Sequence, residues 1–152
     1  MTLQWIVAFS HLLALGIGMG AVWARGRALR GPLDDAGLRN VFHADNWYGI
    51  AALIWIVTGV WRAFGGLEKG TDYYLHSMPF LIKMGIYVLL AALETWPMIV
   101  FMQWRVRLNK GIAIDTGRAR LFALFSEIET IGLVGMVMAA TAMSRGIGFI
   151  GQ

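Results

Sequence analysis

Residues 79–104 read PFLIKMGIYVLLAALETWPMIVFMQW, an apolar stretch in which Lys83 and Glu94 are the charged residues at neutral pH. A helix of about 20 residues is long enough to cross the hydrocarbon core of a bilayer. Three further apolar runs lie at residues 3–24, 47–64 and 121–143. The chain is 58% hydrophobic and only 14% charged, with a mean hydropathy of +0.62. The sequence therefore predicts an integral membrane protein with an all-α fold, a four-transmembrane-helix bundle.

The connections between the four runs are short, so residues 1–152 are expected to form a single membrane domain. Residues 1–4 carry no Lys or Arg and the first run is long for a signal core, so we expect this run to be retained. The absence of cysteine excludes disulfides, iron–sulfur clusters and thiolate metal sites. A net charge of +4 without a nucleic-acid motif favours the lipid bilayer, and not nucleic acid, as partner.

The distribution of Lys and Arg predicts the orientation, because cytoplasmic loops carry the excess of positive charge. The first and third connections hold most of these residues: Arg25, Arg27, Arg30, Arg39, Arg105, Arg107, Lys110, Arg118 and Arg120. We therefore expect a bacterial cytoplasmic (inner) membrane protein with both termini outside. Residues 36–45 are predicted to form a short amphipathic helix on the cytoplasmic surface, and Ser77 with Pro79 to open the third helix.

Ionisable residues inside membrane spans are costly and often functional. Lys83 and Glu94 are eleven positions apart, about 20° out of phase, and so lie on one face of the third helix. By depth, His11 and Lys83 are expected in the outer half and Glu94 and Glu127 in the inner half. Glu129 lies about 200° from Glu127 and is therefore expected to face away from the core. Lys83, Glu94 and Glu127 are the candidate catalytic residues.

His11 has two interpretations. A neutral imidazole can fix helix packing through a hydrogen bond, or it can be an axial ligand to haem iron, for which helical bundles are a common frame. His43 and His76 fall near the two interfaces and are expected on the surface. Possible second iron ligands at the depth of His11 are Met84, Met138 and Met143, although methionine in a bundle is usually a packing residue.

Glycines are spaced for close helix contact in the first and fourth helices. Gly16 and Gly20 have the spacing of a small-residue interface, and Gly132 and Gly135 lie near the middle of the fourth run. For all four, packing is the favoured interpretation.

Several short motifs of the chain resemble an uncharacterised family of small bacterial four-span membrane proteins, known as a domain of unknown function. The motifs span Asp45 to Arg105: Asp45-Asn46-Trp47-Tyr48-Gly49, Thr58-Gly59-Val60-Trp61-Arg62, Lys69-Gly70, Tyr73-Tyr74, Pro79-Phe80 with Lys83, Leu93 to Pro97, and Trp104-Arg105. This resemblance implies the four-span fold and no particular activity.

His11, Lys83 and the segment Phe125-Ser126-Glu127 also resemble features of the membrane-type protoporphyrinogen oxidase, a small helical protein of haem biosynthesis. The chain departs from that family in having Ile128-Glu129 where a proline would follow the acid. The resemblance implies a haem b or porphyrin cofactor and a redox role.

Three functions follow as hypotheses, and whether the chain is an enzyme stays open. The first is haem or porphyrin binding through His11, with Lys83 or Arg62 pairing the propionates and Glu127 or Glu94 as a proton or hydrogen-bond partner. The second is a small transporter or ion-conducting protein, with Lys83, Glu94 and Glu127 as a relay, which would need a homo-oligomer. The third is a structural accessory subunit of a membrane complex, whose buried ions lock helices together.

Overall fold

The computed structural model describes residues 2–66 and 74–148, and four long helices make up most of them. They are α1 (Thr2–Ala28), α2 (Asp35–Phe64), α3 (Met78–Asn109) and α4 (Ala119–Ser144). Each is long and apolar enough to cross a membrane. The predicted all-α, four-span architecture is therefore confirmed.

The first half of α2 differs from the prediction. The prediction of a separate surface helix at residues 36–45 is wrong, because this segment forms the opening turns of α2 itself. Asp34 caps the helix by accepting a hydrogen bond from the Gly37 amide at 2.8 Å, and nothing between Asp35 and Phe64 breaks the ladder. Leu38 and Val41 are buried against the bundle. The longer helix places Asp45 inside the protein and not at its surface.

The third helix starts as predicted, at an N-cap Ser77 with extended backbone and a proline in the first turn. The Ser77 side chain makes no capping hydrogen bond. Pro97 is buried inside α3, and because proline lacks an N–H, the carbonyl of Leu93 loses its helical donor.

The helices pack in the order α2, α1, α4, α3 around the bundle. Contacts are extensive between α1 and α2, between α1 and α4, and between α3 and α4, whereas α2 and α3 barely touch. We call the end that carries residues 29–34 and 110–118 the arginine-rich end, and the opposite end the terminal end. The ring of helices is thus nearly open along one side, between α2 and α3.

Buried apolar side chains form separate layers along the bundle. A layer rich in aromatic residues lies toward the arginine-rich end, and a second, central layer is built around Trp55, Leu90 and Leu133. The first layer contains Leu29, Leu38, Val41, Phe42, Phe101, Trp104, Ala119, Phe122 and Ala123. By their positions along the helices, the polar residues near Arg25 lie between these two layers.

Glycines in the fourth helix and at the end of the first permit close approach. A Cβ atom on Gly132 would lie 2.8 Å from Leu90 Cδ2, and one on Gly26 would lie 3.1 Å from Ser126 Cβ. A Cβ on Gly16 or Gly20 would meet nothing within 4 Å among the described residues. The Gly16–Gly20 pair therefore forms no helix contact within the described part of the chain.

We expect the variant Gly26→Val to separate α1 from α4. Its added carbons would collide with the Ser126 Cβ, which cannot rotate away, and overpacking of this kind typically costs about 1–3 kcal/mol. Gly20→Val is the matched control, because it adds the same side chain where there is open space. Thermal unfolding in detergent, followed by circular dichroism, measures both. Equal melting temperatures for the two variants would contradict the close α1–α4 contact.

Candidate functional site

The most densely charged part of the interior is centred on Arg25, whose side chain is 0% exposed. One guanidinium nitrogen lies 2.6 Å from Glu94 Oε1 and 3.0 Å from Asp45 Oδ1. The other lies 2.7 Å from Glu94 Oε2 and 2.6 Å from Glu129 Oε2. The Nε–H donates to Ser126 Oγ at 3.1 Å. Arg25 therefore joins all four helices through a forked pair with Glu94 and single contacts with the others.

A second arginine extends this network along α2 and α3. Arg105 lies 2.6 Å from Asp45 Oδ2 and donates to Asn46 Oδ1 at 2.6 Å and to the Phe42 carbonyl at 3.1 Å. We call Arg25, Asp45, Glu94, Arg105 and Glu129 the ion cluster.

Charge balance in the ion cluster is incomplete if every group is ionised. Asp45, Glu94 and Glu129 carry three negative charges against the two positive charges of Arg25 and Arg105. Glu129 Oε1 is buried and finds no hydrogen-bond partner among the described residues. Since an uncompensated charge in an apolar interior is very costly, one shared proton on the acids would make the cluster neutral.

The cluster is enclosed by rings as well as by apolar layers. The Arg25 guanidinium carbon lies 5.0 Å from the ring centre of Tyr48 and 5.6 Å from that of Phe101. Such cation–π contacts add to the ion pairs in stabilising the buried guanidinium. Chemically, this arrangement is suited to holding helices together.

The structure confirms Glu94 as a core acid but reverses the prediction for α4. Glu129, and not Glu127, faces the interior, where its side chain is fully buried. Glu127 lies on the outside of α4 with its side chain 45% exposed, paired with Arg30 at 2.5 Å. The prediction relied on the alignment of Glu127 with Met138, but Met138 is 68% exposed, so that stripe faces outward. The buried stripe runs through Phe122, Ser126, Glu129, Leu133 and Met136.

The sequence interpretation missed Arg25 because it counted this residue with the arginines of the first loop. Arg25 follows His11 by 14 positions, which puts the two about 40° apart on one helix face. That face also contains Ala14, Gly18 and Val22, all small or apolar and all buried. Helical phase relative to His11 could therefore have identified Arg25 as an interior residue.

A second polar region, which we call the His11 cavity, lies toward the terminal end and has a volume of about 490 Å³. His11, Arg62 and Lys83, the residues predicted to bind a cofactor, all line it. Its remaining walls are mostly apolar or aromatic: Leu12, Leu15, Trp55, Gly59, Ala63, Tyr74, Phe80, Met136, Val137, Ala140, Thr141, Met143 and Ser144. The expected outer layer of His11 and Lys83 is thus present as one lined space.

Hydrogen bonds from the ring to α2 fix the imidazole of His11, which is only 5% exposed. Its Nδ1 lies 2.9 Å from Thr58 Oγ1 and 3.1 Å from the Trp55 carbonyl. The Thr58 hydroxyl donates to the Ile54 carbonyl at 2.7 Å, so its oxygen can only accept from the ring. Nδ1 therefore carries the proton, and in a neutral ring the lone pair resides on Nε2.

Aromatic contacts complete the setting of His11. The ring stacks on Trp55 with centroids 5.0 Å apart, and Lys83 Nζ lies 5.1 Å from the Trp55 ring centre. A Cβ on Gly59 would approach His11 Cε1 to 3.1 Å, so glycine leaves the space that the imidazole occupies. These contacts hold His11 and Lys83 near one another through Trp55.

The other candidate ligands divide between surface and cavity. His43 and His76 are exposed, as predicted, and His43 accepts a hydrogen bond from Trp47 Nε1 at 3.1 Å. Met143 lines the His11 cavity, whereas Met138 lies outside it. Within residues 2–66 and 74–148, no group of three or more His, Asp or Glu side chains is arranged to hold a metal ion.

The predicted relay of Lys83, Glu94 and Glu127 is not assembled as one group. Lys83 lies beside the His11 cavity, Glu94 belongs to the ion cluster, and Glu127 sits on the outer face of α4. Whether any of the three has a catalytic role stays a prediction.

We expect Arg25→Met to be strongly destabilising, because removal of one partner of a buried ion pair leaves the carboxylates uncompensated, at about 3–5 kcal/mol. Arg27→Met is the matched control, since Arg27 is exposed two positions away and a surface cation should contribute less than about 1 kcal/mol. Unfolding by sodium dodecyl sulfate in mixed micelles measures both free energies. Similar values for the two variants would mean that the ion cluster does not hold the bundle together.

Comparison with known proteins gives a family but no characterised relative. Residues 3–148 match the model of a family described as a predicted membrane protein, DUF2214. No curated protein and no solved structure matches the chain. The match covers nearly the whole sequence, including the motifs around Asp45 and Trp104. The chain therefore belongs to the DUF2214 family of membrane proteins.

Proposed function

We propose that this protein binds haem b or a related porphyrin in the His11 cavity. The observation that carries the proposal is that His11, Arg62 and Lys83 line one apolar space within the membrane-spanning bundle. Its volume of about 490 Å³ falls within the range of roughly 300–1,000 Å³ that is typical of cofactor pockets. When bound, haem supplies one-electron chemistry, whose potential the surrounding protein tunes.

The hydrogen bonding of His11 supports a role as iron ligand. Metal-binding histidines usually donate their second ring N–H to a carbonyl or carboxylate, which fixes the tautomer and the ring orientation. His11 donates Nδ1–H to Trp55 O and Thr58 Oγ1, as a metal-binding histidine of this kind does. The alternative is that His11 only fixes helix packing. That role would not require Arg62 and Lys83 to line the same cavity.

The two cations of the cavity suit the propionates of a porphyrin. A carboxylate that meets an ammonium or guanidinium forms a charge-assisted hydrogen bond, about twice as strong as a neutral one. Arg62 is on α2 and Lys83 on α3, so a dianionic ligand would join two helices that otherwise barely touch. The resemblance of His11 and Lys83 to the membrane-type protoporphyrinogen oxidase supports the same ligand class.

Haem binding predicts a Soret absorption band in protein purified after expression with 5-aminolevulinate. His11→Ala should shift and weaken the band, because the iron loses its axial nitrogen. His43→Ala is the control, since it removes an exposed imidazole. Arg62→Gln with Lys83→Gln removes two charged hydrogen bonds of about 1.5–3 kcal/mol each and should weaken haem retention by roughly 100-fold or more.

The same preparation distinguishes haem from a metal-free porphyrin. Red fluorescence without an iron signal in the pyridine haemochrome assay would identify a porphyrin, with His11 then a packing residue. Purified protein with neither a Soret band nor porphyrin emission would overturn the proposal.

We also propose that the arginine-rich end lies in the cytoplasm of a bacterial cell, with both chain termini outside the inner membrane. The support is the excess of Arg and Lys at that end. Because the chain has no cysteine, single substitutions can report accessibility directly. In intact cells, Thr2→Cys should react with an impermeant maleimide and Ala113→Cys should not. The reverse labelling pattern would invert the orientation.

A further inference from the structure

A third space, which we call the lateral cleft, lies between α2 and α3 where these helices barely touch. It has a volume of about 230 Å³. Ala91, Thr95 and Met98 on α3 line it and are themselves exposed on the outside of the bundle. In a membrane this rim faces lipid, so the cleft is open sideways to the bilayer.

The walls of the lateral cleft are apolar except at a few points. They comprise Ala14, Leu15, Gly18, Tyr48, Ala51, Ala52, Trp55, Ile56, Tyr87, Leu90, Ala91, Glu94, Thr95, Met98, Leu133 and Met136. Glu94 belongs to the ion cluster and accepts from both terminal nitrogens of Arg25, and Tyr48 adjoins the cluster. The cleft therefore offers polar contact at one end. Glu94 is the charged residue of its lining and is already paired with Arg25, so the lining favours a neutral ligand over an ionic one.

Trp55 provides an independent sign of a missing partner. Its Nε1 is buried and has no hydrogen-bond acceptor among the described residues. An unsatisfied buried N–H costs about 1–3 kcal/mol, which an acceptor on a bound molecule would recover. A hydrocarbon chain carries no such acceptor.

Size and access narrow the class of ligand further. An apolar cavity of about 150 Å³ is known to hold benzene, so the lateral cleft of about 230 Å³ has room for one substituted six-membered ring. A ligand that enters from lipid can leave an apolar tail in the bilayer. The ligand is therefore a neutral ring with acceptor oxygens and a lipid-soluble tail.

We propose that the lateral cleft binds the head ring of a membrane-soluble quinone, whose carbonyl oxygens accept hydrogen bonds from Trp55 Nε1–H and the Tyr48 hydroxyl. This binding does not depend on haem in the His11 cavity. Leu15, Trp55 and Met136 line both spaces, so Trp55 is the wall that they share. Its indole is also a fluorescent reporter of the proposed ligand.

The test is quenching of tryptophan fluorescence by decylubiquinone, with the full chain in lipid nanodiscs. We expect a saturable component in the native protein, above the linear quenching that partition into lipid produces. Ala91→Phe should abolish it by filling the cleft. Ala92→Phe is the matched control, because Ala92 is the exposed neighbour and does not line the cleft. Tyr48→Phe should weaken binding about 2- to 10-fold, the loss of one hydrogen bond.

Two further measurements make the result decisive. Thr95→Phe fills the same cleft from another position on the rim and should also abolish the saturable component if Ala91→Phe folds poorly. Arg62→Gln changes the His11 cavity but not the lining of the lateral cleft, so it should retain quinone binding, which separates this proposal from the haem proposal. Linear quenching alone in the native protein would overturn it, as would saturable quenching that survives both Phe substitutions. Equal competition by n-decylbenzene, which has the ring and tail but no carbonyl, would also overturn it.

Discussion

The arrangement of the bundle depends on one buried cation, Arg25, which acidic side chains from the three other helices surround. Moving a guanidinium out of water is so costly that it stays inside only where its donors are satisfied. Arg25 meets this condition with Asp45, Glu94, Glu129 and the Ser126 hydroxyl, so each helix must present one particular face to the centre. The network thereby specifies helix rotation more tightly than apolar packing would, because leucine and methionine tolerate rotation whereas a forked ion pair does not.

The sequence predicted the number of spans and the approximate positions of their apolar parts because hydropathy sums over about 20 residues and tolerates local errors. It also placed Lys83 and Glu94 on one helix and His11 with Lys83 at one depth. It could not identify the partners of Glu94, because contact between helices depends on their rotation and neighbours. Arg25 looked like an ordinary loop arginine, and Glu127 was preferred over Glu129 from its phase with Met138, a residue that the structure exposes. The sequence predicted a helix at 36–45 but separated it from the second span, because its polar side is typical of a surface helix. Lys69, Gly70 and Tyr73 of the family motifs lie outside the described residues.

Buried ionisable groups in this bundle serve two different ends. Around Arg25 the charges pair with one another beside the aromatic layer. These ion pairs join the helices. Around His11, by contrast, a fixed imidazole and two cations line a space large enough for a cofactor. An intramembrane charge is thus evidence of function only when its surroundings leave room for a ligand. By that criterion we propose the ligand site in the His11 cavity and not in the more highly charged ion cluster.

The open side of the bundle follows from where the ions lie. At the arginine-rich end Arg105 on α3 joins Asp45, Asn46 and the Phe42 carbonyl on α2, and Arg25 bridges Asp45 to Glu94. These polar contacts hold α2 and α3 together where apolar packing between them is sparse. Nearer the terminal end, Lys83 on α3 lies 5.1 Å from the ring centre of Trp55 on α2, and the lateral cleft runs along the seam at the level of Ala91 and Glu94. The ion cluster closes the gap between α2 and α3 at one end. The remainder of this gap faces lipid. The same residues that stabilise the fold therefore lie beside the cleft for which we propose a membrane-soluble ligand.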